Sequence, residues 1–399
     1  MNIHPFIKEY LLLALRINKI SDGYVDAYYG PPELKTLVEN ESVKSAKELI
    51  KVCKVLQKDL LEKINDSTRQ KYIGTMLNAM EVFLRVLNNE QIEFNEQVEA
   101  ILGVKPKTYE NDSEFYTLQK EFTQVYSGKG TLAKRMEMYK ERRRIPVSEI
   151  IVNFKRALEI TRERTKEVFP ELLPESESFK VQLAMEKVNW AFYDRYLGNY
   201  NSIIEVNPLQ PIYWTTFLNI AAHEGYPGHH TEFSVKNKLL CNQLNWNEHR
   251  IILMNTPAGT VTEGIAETAS YVLYKAEEKV RIELEEFCPD PDKEDSIDIL
   301  IKQSEIKYEV SKFMVHLANL ANIEVWDKEE LFNYGMEFGF IPKENLQNII
   351  SFMLDPKSRI VFYTYNYGRD LITNKYGFPP KVDKFRLLLS KPTIASDLI

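Results

Sequence analysis

Apolar residues recur at three- and four-residue steps over most of the chain, the spacing of one face of an amphipathic helix. Phe6, Tyr10, Leu13, Ile17 and Ile20 make the first such face, within residues 4–20, and Asp22-Gly23 stops it. Val43, Ala46, Ile50, Cys53, Leu56, Leu60 and Ile64 make a second, and Tyr72, Met76, Met80, Phe83 and Leu87 a third; the two are expected to pair antiparallel. Between the first and second faces, DGYVDAYYGPPEL reads as a Gly- and Pro-punctuated loop rich in aromatic side chains. Phe115, Leu118, Phe122 and Val125 continue the helical pattern up to a break at Gly128-Lys129-Gly130, and another helix is expected from Ser148, a candidate N-cap, to Pro170. β-Branched residues cluster in SIIEVN, residues 202–207, which is predicted as the first strand. Beyond residue 260 the period is helical again, apart from a polar stretch at 287–296 and a Gly- and Pro-marked loop near 335–343.

The predicted fold is therefore mostly α: a large helical body with a central cleft and one small β element. A single domain over 1–399 is expected. The polar connector GVKPKTYENDS, residues 103–113, allows a subdivision into an N-terminal helical part, 1–105, and a main part, 111–399.

Composition narrows the function. The 15 Gly and 18 Pro among 399 residues are about 8% of the chain against a usual ~12%, a deficit that favours helices over loop-rich β architecture. The net charge of −7 leaves no global basic field to draw in nucleic acid or an anionic bilayer, so neither is expected as a partner. One segment is locally basic, KRMEMYKERRR at 134–144; it reads as a solvated helix face with Met136 and Tyr139 inward rather than as a docking patch. Three cysteines, Cys53, Cys241 and Cys288, lie far apart and form neither a disulfide framework nor a metal knuckle. A reducing, cytoplasmic setting fits them. The early apolar run YLLLAL is too short for a bilayer and reads as part of the first helix, not as an export signal.

Three of the six histidines fall within eight residues, His223-Glu224-Gly225-Tyr226-Pro227-Gly228-His229-His230. In the zinc-peptidase helix HExxH two histidines stand four apart on one face, with the Glu beside the first facing the metal-bound water. Here the second histidine comes later. An unbroken helix would separate residues six or seven apart by roughly 9–10 Å along its axis, too far for two rings to reach one ion at ~2.0–2.1 Å. Pro227-Gly228 lies between them, however, and Pro followed by Gly lets the chain leave the helix and restart. The register, with Phe233 and Leu240 on the same stripe, favours His229 as the second ligand and leaves His230 to support the site or touch substrate. A third ligand is expected from VTEGIAETAS, Glu263 first and Glu267, one turn on, second, with the one that does not ligate orienting a histidine. The two-His, one-Glu set leaves a water position with Glu224 beside it, whereas structural zinc sites are normally closed by four protein ligands.

Other residues round out this reading. SIIEVN is expected as an edge strand able to pair with an extended peptide, with Asn207 at its end as a substrate contact. The run VFYTYNYGRD, residues 361–370, offers Tyr363, Tyr365, Tyr367 and Arg369 as donors to an oxyanion, Arg369 also as a clamp for a substrate carboxylate. The remaining histidines get plain readings: His4 at the surface, His249 among polar residues, His316 in the core.

With HEGYPGHH and EGIAE in view, the chain resembles the bacterial and archaeal family catalogued as domain of unknown function 885, whose members are assigned as zinc metallopeptidases, and within it the short single-domain branch. DGYVDAYYGPPEL, YLGNYNSIIEVNP, AAHEGYPGHHTE, NTPAGTVTEGIAE and FYTYNYGRDL stand in the family's order over nearly the whole chain. The resemblance implies a mostly helical fold related to the gluzincin peptidases, Zn2+ held by His223, one late histidine and Glu263, Glu224 as general base, and Tyr365 as the oxyanion donor. Where the family commonly has EGWA this chain has EGIA, which removes any contact made by that Trp. The expected function is zinc-dependent hydrolysis of peptide amide bonds. A zinc hydrolase of non-peptide amides or esters would use the same residues, and a non-catalytic helical binding or scaffold protein with a structural metal would have no use for Glu224.

Overall fold

A computed structural model describes residues 3–107, 112–185, 188, 190–356 and 358–399, without the side chain of Lys307. It is 66% helical with 7% strand, so the mostly-α architecture with a small β element stands. The expected helical faces become helices at Pro5–Ile20, Ala46–Lys63 and Ser67–Leu87. Local chemistry sets several of their starts. The Ser45 hydroxyl accepts from the Glu48 backbone N–H while the Glu48 carboxylate reaches back to the Ser45 N–H, and Asp66 caps the next helix through the Arg69 N–H, each satisfying amides that the first turn leaves free. Ser148 is not a cap: the helix Val147–Val168 begins after Pro146, whose ring suits the entry to a first turn. Residues 134–141 present the expected solvated helix face with Met136 buried, but the helix ends at Glu141, and Arg143 beyond it is itself buried and pairs with Glu294 and Asp295.

The β structure is richer than SIIEVN alone. β1 (Val25–Tyr28), inside the aromatic segment expected as a loop, pairs antiparallel with β5 (Ile251–Leu253). β2 (Ser178–Leu183), β3 (Phe192–Gly198) and β4 (Asn201–Val206) form a second sheet in the order β2-β4-β3, parallel then antiparallel. SIIEVN is therefore the central strand, neither first nor an edge. Both of its backbone rows are occupied, and the expected peptide pairing along it is excluded by that topology.

The sheet matters because of what it covers. Val181, Phe192, Ile204 and Val206 pack with Phe154 and Leu158 of the helix Val147–Val168 and with Phe217, Leu218, Ala221 and Tyr226 around the HEGYPGHH segment. A larger apolar cluster draws on both sides of the 103–113 connector, joining Phe94 and Val98 to Phe115, Phe313 and Tyr363; residues 108–111 of that connector lie outside the described residues. The helices Pro257–Leu273 and Val361–Tyr376 meet backbone to backbone: a Cβ on Gly264 would sit 2.2 Å from the Gly368 carbonyl oxygen, and one on Gly368 2.2 Å from that of Thr260. Only glycine allows this approach, and it brings the EGIA segment against the YNYGRD segment.

Candidate metal centre

Residues Ala221–Gly225 form a π-helical turn. The Tyr226 N–H donates to the Ala221 carbonyl five residues back, and Tyr226 itself is extended. A wide turn of this kind often marks a functional position in a helix. The Gly228 N–H then donates to the Ala222 carbonyl at 2.8 Å, so close that a Cβ on Gly228 would lie 1.9 Å from the His223 carbonyl oxygen. A new helix, His229–Lys236, starts at once. The fold-back carries the His229 ring to 4.8 Å from that of His223, at 89°. Phe233 stacks on His229 from the next turn, the stripe the register predicts.

The third group arrives from the helix Pro257–Leu273, which the Thr256 hydroxyl caps. Glu263 Oε2 lies 3.6 Å from His223 Nε2 and 3.6 Å from His229 Nε2. One ligand atom from each of the three residues lies within 4.8 Å of the others. Tetrahedral ligands at ~2.0–2.1 Å from zinc stand about 3.4 Å apart, so the two 3.6 Å separations from Glu263 fit one ion, and the two rings would close on it from within 4.8 Å.

Burial supplies a second test of fit. Glu263 is 7% exposed, and its Oε2 has no hydrogen-bond partner, nor has Nδ1 of His229. A buried carboxylate oxygen without a partner is costly, and a cation between the rings would satisfy it. Burial disfavours a charged His229, but Glu263, then Glu224 and Glu232, outweigh it and push the imidazole up to about 10. A field that holds a proton so firmly also favours a metal cation. Glu267 Oε1 lies 3.5 Å from His223 Nδ1, the orienting place expected of it.

Glu224 is buried beside these ligands, and its Oε2 accepts the Asp194 backbone N–H at 2.9 Å. Its partner strand thus fixes one carboxylate oxygen and leaves the other. Tyr365, one turn before Gly368, keeps 39% exposure. The negative charge of Glu263, then burial and the charge of Glu224, raise its phenol well above the ordinary value, which keeps the hydroxyl protonated and able to donate a hydrogen bond.

Two expected site residues stand elsewhere, and a third, Arg369, is set apart from the ligands. His230 is fully buried, with Nδ1 2.8 Å from Ser202 Oγ and Nε2 3.2 Å from Glu177 Oε2. Both ring nitrogens are in use, so neither ligation nor substrate contact is open to it. Glu177 also accepts from Tyr226 and Arg162; burial opposes its ionisation, but His230, Tyr226 and Arg162 hold its carboxyl down at about 2. Asn207 is a local staple rather than a substrate contact, its Nδ2 donating to the Val188 and Trp190 carbonyls and its Oδ1 accepting the Leu209 N–H. Arg369 lies outside the ligand cluster, against the rings of Tyr308, Phe378 and Tyr271. The plain readings of His4 and His316 fit, the first exposed and the second buried against Tyr334, whereas His249, expected among polar residues, is buried against the rings of Tyr72 and Trp246.

Two acids near the site have no counterpart in the sequence reading. Asp194 faces inward with Phe192 and Tyr196 on β3. It is 2% exposed, and burial pushes it well above the carboxylate range, against the opposing effect of the nearby Ser202 hydroxyl. Asp26 on β1 accepts from the Tyr193 hydroxyl at 2.8 Å. Burial pushes it to about 6, with His229, Glu263 and Glu224 among the charges it feels. An acid in the inward register of an alternating strand was the available signal for Asp194.

No family model matches the chain, and no curated protein matches it. Among solved structures, one described as "the putative lipoprotein from Colwellia psychrerythraea" is similar, with a TM-score of 0.53 and 14% identity over 93% of this chain and 69% of that one. At that identity the likeness is one of fold alone.

Proposed function

We propose that this chain is a zinc-dependent hydrolase of peptide amide bonds, and that it belongs with the domain of unknown function 885 family its motifs resemble. The observation that carries the reading is the convergence of two imidazole nitrogens on one partnerless buried oxygen of Glu263, with Glu224 alongside. Mixed imidazole and carboxylate ligation suits zinc, and three protein ligands leave a position open, as catalytic rather than structural sites do. When bound, the ion would supply Lewis-acid polarisation of a carbonyl and a water acidified toward neutral pH.

The residues divide the remaining work. His223, His229 and Glu263 would hold the ion, and Glu267 keeps the His223 ring in its orientation through Nδ1. Glu224, anchored at one oxygen by Asp194, takes a proton from the attacking water at the other. As the water oxygen bonds to the carbonyl carbon and the C–N bond breaks, that proton passes to the leaving nitrogen, yielding one carboxylic acid and one amine. The Tyr365 hydroxyl donates to the oxygen that gains charge on the way.

Metal analysis of the purified chain is expected to find about one zinc per molecule. Hydrolysis of a mixed peptide library should fall ~10²–10⁴-fold in Glu224→Gln while the zinc content stays unchanged. Full activity in that variant, or a protein that takes up no metal, overturns the proposal. Cleavage of esters or non-peptide amides alone would keep the site and change the substrate class.

A further inference from the structure

Arg369 is half-buried, and its guanidinium carbon lies 3.6 Å from the ring centre of Tyr308, 4.6 Å from that of Phe378 and 5.1 Å from that of Tyr271. Stacking of this kind covers the faces of the guanidinium plane and leaves its edge. That edge carries five N–H donors arranged to grip a planar anion in two places. Among the described residues none accepts a hydrogen bond from it, and no carboxylate lies within 4.0 Å of it. The neighbouring acid, Asp370, is engaged instead by the Tyr308 hydroxyl and by Lys107.

The edge borders open space. Arg369, Tyr271, Tyr308 and Phe378 line a cavity of about 1530 Å³. Other cations on its wall are differently placed: Arg164 pairs with Glu167 and Glu278, Lys312 with Glu309, and Lys275 and Lys302 are exposed on the rim. The half-buried, unpaired positive charge is that of Arg369.

Its position relates to the metal centre. Tyr365 and Arg369 are four residues apart on one helix, hence on the same face and separated by ~6 Å of rise. On the helix crossing it, Glu263, Glu267 and Tyr271 make a matching row at four-residue steps. An extended chain advances ~3.3–3.6 Å per residue, so the step from Tyr365 to Arg369 spans one or two residues of a peptide.

We propose that Arg369 binds the free C-terminal carboxylate of the substrate, which makes the chain a carboxypeptidase that removes one or two residues from short peptides. This rests on the hydrolase reading and extends it to a substrate class. The aromatic cage holds the guanidinium flat, so that the carboxylate meets it edge-on with two parallel hydrogen bonds. An amidated C-terminus offers no charge and cannot accept both bonds.

Binding separates this inference from hydrolysis. With Glu224→Gln to prevent turnover, calorimetric titration of an alanine-phenylalanine tetrapeptide as its free acid and as its C-terminal amide is expected to show the acid binding at least tenfold more tightly. Adding Arg369→Met should shrink that ratio below twofold, and Arg369→Lys should keep part of it; circular dichroism melts show whether each variant is folded. Equal binding of acid and amide, binding of neither, or a preference that survives Arg369→Met overturns the inference. Peptide hydrolysis by wild type without the preference sinks this inference alone, whereas an Arg369-dependent preference in a protein that hydrolyses nothing sinks the hydrolase reading and leaves the carboxylate site standing.

Discussion

At the scale of single residues, burial decides which side chains can act. His229 and His230 are adjacent, yet one turns a bare nitrogen toward Glu263 while the other spends both nitrogens on Ser202 and Glu177. Helical register pointed to His229. No register predicts Glu177, because it reaches His230 only through the fold. Glu267→Gln should leave the three ligands in place but weaken the hold on His223; zinc affinity, measured by competition with a chelator, is expected to fall ~10–100-fold. On the proposed mechanism Tyr365→Phe would remove one donor to the developing oxyanion, so turnover should drop ~10²–10³-fold with zinc content unchanged; unaltered turnover would take Tyr365 out of the reaction. Away from the site, Glu283 is 3% exposed, and burial pushes it up to about 7, against Lys279 and the Leu218 backbone. A carboxyl whose folded value lies above its ordinary 4.5 binds more protons folded than unfolded, so its contribution to stability is greatest below pH 4.5 and is lost as pH rises toward 7. Glu283→Gln should therefore stabilise the chelated protein by up to ~3 kcal/mol at pH 8 and by almost nothing at pH 4, as read by denaturant unfolding.

At the scale of elements, two close backbone approaches make the site. The first is the turn at Pro227-Gly228, whose breaker residues were readable as a bend between histidines. Its π-helical entry and the 1.9 Å approach at Gly228 were not, since they depend on where the His223 carbonyl ends up. The second is the crossing at Gly264 and Gly368. A Gly264→Ala variant would force two backbones apart, and such overpacking costs ~1–3 kcal/mol or more; the expected result is a lower denaturant midpoint together with loss of activity, because Glu263 and Tyr365 move with their helices. Strands were less legible than helices. β1 hides in a segment punctuated by Gly23, Gly30 and Pro31, and β5 is three residues long, too short for alternation to show. SIIEVN was recognised by composition, but composition is silent on which strands flank it, and β2 and β3 occupy both of its sides.

At the scale of the whole molecule, the candidate metal centre joins segments some 40 residues apart, with Glu224 backed by a strand on one side and Tyr365 brought from more than 100 residues further along. A ligand that binds only the folded chain stabilises it by mass action, about 2.7 kcal/mol at a hundredfold excess over its dissociation constant. Chelation should accordingly lower the melting temperature, and zinc should restore it; a melting temperature indifferent to both would argue against a site joining these segments. Among the described residues no helix is long and apolar enough to cross a membrane, and Cys53, Cys241 and Cys288 are all free thiols, so packing and polar networks hold the described body together without cross-links. The amino-acid order by itself determined the helical period, the breakers that end each helix, and the spacing of His223, Glu224, His229 and Glu263, because these are local properties of side-chain type and backbone freedom. Tertiary structure decided which strand lies at the edge, that His230 serves the core, that Asp194 anchors Glu224, and that Arg369 stands alone among aromatic rings. Those outcomes depend on which distant surfaces exclude water together, and no local pattern carries that information.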